Sequence, residues 1–218
     1  MILIPVKNLA AAKQRLAAML DQPARTELAR TMLHDVVTAL AAWSARPACA
    51  LVTSDSFALE LARQYDFEVI ADPANPGETG AIEMATQICV SRGIDNTLVI
   101  PADIPLIQAS EVEQILAHAP DPGSVLVPAA DGRGTNAALR RPANLFPLRF
   151  GNDSFKPHLA AAQATGKPCI VLELPGIALD VDNPEDLLRL FTQSGDTRTQ
   201  NLIRRWALDG SLFAKGTA

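Results

Sequence analysis

The chain has 218 residues, 48% of them hydrophobic and 20% charged, a composition that supports one sizeable core and excludes disorder as a global description. Nineteen Lys and Arg stand against 24 Asp and Glu, a formal net charge of -5, and no basic cluster marks a nucleic-acid-binding face. An anionic ligand would therefore need bound metal and a few local cations to offset the acidic background.

Cys49, Cys89 and Cys169 are far apart, odd in number and form no CxxC pair, so neither a disulfide framework nor a structural zinc site is expected. No run approaches ~18 consecutive apolar residues, and the N-terminal MILIPVKNLAAAK lacks the charged n-region of a secretory signal. A cytoplasmic protein with no membrane partner is the expectation.

Short apolar runs alternate with longer segments of helical period. Ile2 to Val6 reads as a strand, and Pro23 to Trp43 as a helix with Leu28, Met32, Val36 and Leu40 along one face. Cys49 to Val52 is a strand closed by Thr53-Ser54-Asp55, which can cap a helix from Phe57 to Tyr65. Glu68 to Ala71 is strand-like, then Ala81 to Ser91 is helical after a turn-rich stretch. Thr97 to Ile100 is a strand ending in Pro101-Ala102-Asp103-Ile104-Pro105, with a helix from Ala109 to Ala119 beyond it.

This alternation predicts an α/β domain with a mixed, mainly parallel sheet flanked by helices. Val125 to Pro128 and Ala137 to Arg140 continue as strands around Asp131-Gly132-Arg133-Gly134-Thr135-Asn136. Pro142 to Gly151 reads as an irregular loop, Phe155 to Ala164 as a helix, and Cys169 to Leu174 as a strand. Asn183 caps a helix that has Pro184 at its first position. Residues 1–191 are expected to form the domain. Residues 192–218, with Asn201 to Leu208 helical, are expected to be an extension packed on it or on a second copy.

In open α/β sheets ligands gather at the carboxyl ends of the strands. Asp103 follows such a strand, and a carboxylate there can hold a hard cation such as Mg²⁺, or else satisfy turn amides. Asp180 and Asp182, at i and i+2 of an extended segment, point to one side roughly 6.5–7 Å apart. They can share a metal, or Asp182 can merely help start the next helix. Thr135, Asn136, Gly151 and Ser154 lie in two glycine-containing turns that can offer amides and hydroxyls to a ligand. Ser154 stands at a helix start, which favours an anion, although Ser154 or Asp153 can equally be a plain cap. His158 reads as a packed or surface histidine. Lys13 and Arg15 in the first loop can reach the oxygens of a polyphosphate. No GxxxxGK[ST], GxSxG, HExxH or GxGxxG occurs.

In order, PVKNLAAAKQRLA, VIPADIPLI, GRGTNAALRRP, LRFGNDSFKPH and LDVDNPEDL resemble the CofC/FbiD family, the guanylyltransferases of coenzyme F420 biosynthesis. The likeness runs from Met1 to Phe191, and GTNA followed by GxxSFxxH is its most specific part. It implies a MobA-like nucleotidyltransferase fold of the GT-A type. It also implies a reaction in which GTP and a phosphorylated three-carbon acid give a guanosine diphospho-acid and pyrophosphate. The family's acids are 2-phospho-L-lactate, phosphoenolpyruvate and 3-phospho-D-glycerate.

On this resemblance Asp103, Asp180 and Asp182 match the metal-binding aspartates, with Mg²⁺ as cofactor. Thr135, Asn136, Gly151 and Ser154 fall where the acid is held, and Lys13 and Arg15 near the GTP phosphates. The resemblance implies a downstream transferase of the F420 pathway as a partner, and a homodimer is a separate expectation. The chain departs from many relatives at Gly77-Glu78-Thr79-Gly80-Ala81-Ile82-Glu83, where Glu78 and Glu83 add acidity near the expected nucleotide. The competing readings are another MobA-like enzyme acting on molybdopterin or a sugar phosphate, and a non-catalytic nucleotide-binding module.

Overall fold

The computed structural model describes residues 1–74, 77–151 and 153–208. Seven strands form one sheet: β1 (Ile2–Pro5), β2 (Cys49–Thr53), β3 (Glu68–Ala71), β4 (Thr97–Val99), β5 (Gly123–Pro128), β6 (Thr135–Arg141) and β7 (Cys169–Val171), in the spatial order β3-β2-β1-β4-β6-β5-β7. Neighbours are parallel except that β6 runs against both β4 and β5. The helices are α1 (Gln22–Ala41), α2 (Ser56–Tyr65), α3 (Glu78–Ser91), α4 (Ala109–Ala117), α5 (Phe155–Ala164), the short α6 (Pro175–Ala178), α7 (Pro184–Thr192) and α8 (Arg198–Leu208).

The period of two along the strands divides the core into two faces. Ile2, Ile4, Leu51, Val125 and Val127 point to one side, where Leu33, Val36, Val37 and Leu40 of α1 and Leu61 and Ile115 meet them. Leu3, Ala50, Val52, Val99 and Leu126 point to the other, against Ile82, Ala85 and Cys89 of α3 and Ala162 of α5. Both faces of the central strands are therefore dry, which is why Ile2 to Ile4 reads as an unbroken apolar run. A third cluster joins α1 through Leu28 and Met32 to Val181, to Leu187 and Leu190 of α7, and to Ile203 of α8.

Most element boundaries agree with the sequence reading within two residues. The exceptions have local causes. α3 begins at Glu78, three residues before the expected Ala81, because Gly77 adopts φ 97° and turns the chain into the helix there. β7 ends at Val171 instead of continuing to Leu174, and Pro175 then opens α6. α8 starts at Arg198 instead of Asn201 because the Asp35 carboxylate of α1 accepts the backbone N–H groups of Arg198 and Thr199, at 3.1 and 2.8 Å. Asp55 and Asn183 cap α2 and α7 as their positions in sequence suggest. No helix among the described residues is long and apolar enough to cross a membrane.

The reversal of β6 positions the site. Val99 of β4 pairs with Ala138, so the carboxyl end of β4 lies beside the start of β6. Asp103, just past β4, and Thr135, the first residue of β6, therefore reach the same edge of the sheet from opposite chain directions. The segment after α6 returns to that edge: Ala130 N–H donates to the Ala178 carbonyl at 2.8 Å, and Val181 N–H to the Asp103 carbonyl at 3.1 Å.

Candidate active site

Two adjoining cavities open at this edge. One, of about 390 Å³, is lined by Arg15, Asp103, Asp180, Asp182, Thr135, Asn136, Gly151 and Ser154 together with Glu78, Arg133, Phe150 and Asp153. The other, of about 480 Å³, lies over the β1 loop and includes Lys7, Asn8, Leu9 and Lys13. Glu78, Pro101, Asp103 and Asp182 line both. Every residue that the resemblance assigns to the site thus falls on one of two connected cavities.

Lys13 sits between two short 3₁₀ turns with φ 57°, a left-handed conformation that costs a lysine backbone energy. The strained turn delivers its ammonium between two carboxylates: Nζ donates to Asp103 Oδ2 at 2.6 Å and to Asp182 Oδ1 at 2.8 Å. The Lys13 side chain is 7% exposed, against 26% for Asp103 and 43% for Asp182. Burial opposes the lysine charge, yet Asp103 and Asp182 together raise its pKa above the ordinary value. Burial likewise opposes the Asp182 charge, and Lys13, then Arg15, hold its carboxyl below the usual range. Arg15 adds a longer ion pair to Asp182, at 3.7 Å. In this structure the partners of Lys13 are the carboxylates of Asp103 and Asp182.

The remaining carboxyl groups are short of positive charge. Burial, with the charge of Asp103, pushes Asp180 up to about 6, although a hydrogen bond from Asn136 works against the rise. Burial, again with Asp103, pushes the half-buried Glu78 up to about 7 despite the opposing field of Lys7. Among the described residues, no three acidic, histidine or cysteine side chains gather closely enough to cage a metal by themselves.

Asn136 faces the strap after α6. Its side-chain amide donates to the carbonyls of Ile177 and Ala178 at 3.0 and 2.9 Å and to Asp180 Oδ1 at 3.0 Å. It borders the cavity, and what it holds in this structure is Asp180.

Thr135 and Ser154 are buried and bonded to each other. The Thr135 N–H donates to Ser154 Oγ at 3.1 Å, which draws Ser154 away from capping α5. The Asp131 carboxylate accepts Arg133 N–H at 2.8 Å and shapes the preceding turn, where Gly132 takes φ 71°. Arg133 grips Asp153 with two nitrogens, Nη2 to Oδ2 at 3.1 Å, and its carbonyl accepts Phe155 N–H at 2.8 Å. The two turns on either side of the pocket are thereby clasped together. Gly151 has φ 144°, a conformation that disfavours any side chain.

Sequence reasoning missed three contributors. Glu78 was visible only as added acidity, Arg133 lay unassigned inside GRGTN, and His158 read as packing. His158 is indeed buried, but both its ring nitrogens are engaged with this pocket's walls.

A family model described as guanylyl transferase, CofC-like, matches residues 1–216. A phosphoenolpyruvate guanylyltransferase of Sphaerobacter thermophilus is 36% identical over 187 residues, covering 86% of this chain and 90% of its own. A 2-phospho-L-lactate guanylyltransferase of Methanothermobacter thermautotrophicus is 32% identical, with 93% and 89% covered. A 3-phospho-D-glycerate guanylyltransferase of Colwellia psychrerythraea is 33% identical, with 85% and 88% covered. The crystal structure of a protein described as a nucleotide-diphospho-sugar transferase, from Desulfovibrio desulfuricans G20, superposes with TM-score 0.76 at 21% identity, covering 98% of this chain and 96% of that one. That likeness carries the fold, and the family match over nearly the whole length carries the kinship: the chain belongs to the CofC-like guanylyl transferase family.

Proposed function

We propose that this protein transfers GMP from GTP to a phosphorylated three-carbon acid, with release of pyrophosphate. The observation that supports it best is the pair of cavities meeting at Asp103 and Asp182. One is walled by a cationic loop suited to a nucleotide, the other by hydroxyl- and glycine-bearing turns suited to a small phosphorylated acid. In this reading GTP lies over Lys7 to Lys13, and the acid lies against Thr135, Gly151 and Ser154. The product would feed the F420 pathway, as the resemblance of the motifs implies, and a downstream transferase would consume it.

The chemistry asks little of a general base. An oxygen of the acid's phosphate, already ionised near neutral pH, attacks the α-phosphorus of GTP. A new P–O bond forms as the bond from the α-phosphorus to the bridging oxygen breaks, and pyrophosphate leaves. The obstacle is anion meeting anion: at ~4 Å and an effective dielectric of ~20, each like-charge pair is worth about 4 kcal/mol. Lys13 and Arg15 offset the charge of Asp103 and Asp182 at the junction. The clasped turns fix the acid's orientation so that attack is in line.

The donor set also fits a divalent cation. Asp103, Asp180 and Asp182 offer hard oxygen atoms to one cavity. Mg²⁺ typically takes only one or two carboxylates and completes its shell with substrate phosphates, which suits a site without a ready three-carboxylate cage. When bound, such an ion would neutralise developing charge on the phosphates.

The test is pyrophosphate release from GTP and MgCl₂ with phosphoenolpyruvate, 2-phospho-L-lactate and 3-phospho-D-glycerate in turn, with ATP and CTP as nucleotide controls and a coupled acceptor enzyme to trap a labile product. Release with GTP and one acid is the expected result. Folded protein that binds GTP yet releases no pyrophosphate with any acid would overturn the reading in favour of a non-catalytic module or a different acceptor.

A further inference from the structure

His158 lies one turn into α5 and is 1% exposed. Its two ring nitrogens have different partners. The backbone N–H of Arg149 donates to Nε2 at 2.8 Å, so that nitrogen carries no proton. The ring proton of the neutral imidazole therefore resides on Nδ1, which lies 2.9 Å from Thr135 Oγ1 and must donate to it. Phe150 packs against the same ring in a T-shaped arrangement, centroids 5.0 Å apart, and Gly151 follows directly.

A threonine hydroxyl has two lone pairs and one hydrogen. One lone pair of Thr135 takes the proton from Nδ1, and Ser154 Oγ approaches the same oxygen at 3.4 Å. Acceptance on this side turns the hydroxyl hydrogen away from the imidazole, and Thr135 lines the cavity proposed for the acid. A phosphate or carboxylate there is an acceptor only, so a hydroxyl held as donor is the polarity it needs.

We propose that His158 is a positioning residue: it locks the Thr135 hydroxyl as a hydrogen-bond donor toward the phosphorylated acid, and it ties the Arg149–Gly151 turn to the start of β6. The proposal rests on the reading that the acid occupies this pocket. His158 touches no substrate in it and acts through Thr135 and the turn.

Kinetics with phosphoenolpyruvate and, in parallel, 2-phospho-L-lactate at saturating GTP would compare the wild type with His158→Leu, His158→Asn, Thr135→Val and the Thr135→Val/His158→Leu double variant. Loss of the relay in His158→Leu should raise the acid KM about tenfold, the effect of one well-placed hydrogen bond, with GTP KM and kcat within about threefold. His158→Asn keeps an N–H at the position of Nδ1 and should bring the acid KM back to within about threefold of wild type. In the Thr135→Val background, His158→Leu should add less than about twofold, because the path through the hydroxyl is already gone.

An unchanged acid KM in His158→Leu, or an equal rise for GTP and acid, would overturn the relay. So would a full effect persisting in the Thr135→Val background. Thr135→Val with an unchanged acid KM would overturn the pocket reading and the relay with it, whereas a raised KM in Thr135→Val beside a silent His158→Leu overturns the relay alone. A measurement on the wild type stands independent of how the variants fold: ¹⁵N spectra of the His158 ring should show a protonated Nδ1 and a bare Nε2, and a proton on Nε2 would refute the proposal.

Discussion

Replacing Lys13 by Met keeps the length and apolar stem of the side chain and removes only the ammonium between Asp103 and Asp182. Breaking a buried ion pair by deleting one partner costs ~3–5 kcal/mol. Here the lysine is buried, but Asp103 is 26% and Asp182 43% exposed, so water screens the orphaned charges and the cost falls to about 2 kcal/mol. For a chain of this size each kcal/mol moves the midpoint by about 2–4 °C, which makes the expected drop in Tm roughly 4–8 °C. The sign with pH follows from the two shifts. The raised lysine contributes below its unfolded pKa of about 10.4 and is lost above its folded one, while the depressed Asp182 contributes above about 3.9 and is lost as pH falls further. The gap between wild type and Lys13→Met should therefore be flat from about pH 5 to pH 9 and close on acidification. Circular dichroism melts with and without millimolar MgCl₂ provide the assay. Two carboxylates left facing each other should take up the ion, so Mg²⁺ should raise the Tm of the variant more than that of the wild type. A drop below about 1 °C, or equal gains from Mg²⁺, would refute the argument that the ammonium neutralises this pair.

Asp103→Asn removes one of the carboxylates common to both cavities; turnover should fall by more than about a hundredfold with the circular dichroism spectrum unchanged, and near-normal pyrophosphate release would end its role in the site. Asn136→Ala frees Asp180 from its tether, and activity should drop about 10–100-fold, with a higher Mg²⁺ requirement in titrations of the rate. His158 is held down to about 4 by burial and by the nearby charge of Arg140. Its depressed pKa makes stability fall as pH drops from about 6.5 to about 4, by an amount on the order of 3 kcal/mol. The stability difference between wild type and His158→Asn should accordingly narrow over that interval, as chemical denaturation at each pH would show.

Features that depend on near neighbours were legible in the sequence. Asp55 before an amphipathic run and Asn183-Pro184 before another announce helix starts because a cap acts over three residues. Asp103 could be placed at a strand end because an apolar run stops just before it, whereas Asp180 and Asp182, expected at a strand end as well, follow the short helix α6. The pairing of Lys13 with carboxylates 90 and 169 residues away could not be read, since nothing in its own neighbourhood distinguishes it from a solvated lysine. Asp35 capping a helix more than 160 residues distant escaped for the same reason. The engagement of Asn136 with Asp180 depends on α6, which a strand-like Cys169 to Leu174 concealed. His158 looked like packing because only the fold shows which atoms its two nitrogens meet.

The opposed direction of β6 has a mechanical meaning. Asp103 lies just past the end of β4 and Thr135 opens its hydrogen-bonded neighbour β6, so in the proposed reading the gap between the two reactant sites is set largely by the ~4.8 Å spacing of a sheet. Insertions in the loop between Arg141 and Gly151 can then reshape the acceptor's container while the separation of the reacting groups is left alone. A family whose members carry the names of three different acids has, in that fixed gauge, a frame on which the acceptor can be exchanged without rebuilding the place where the bond is made.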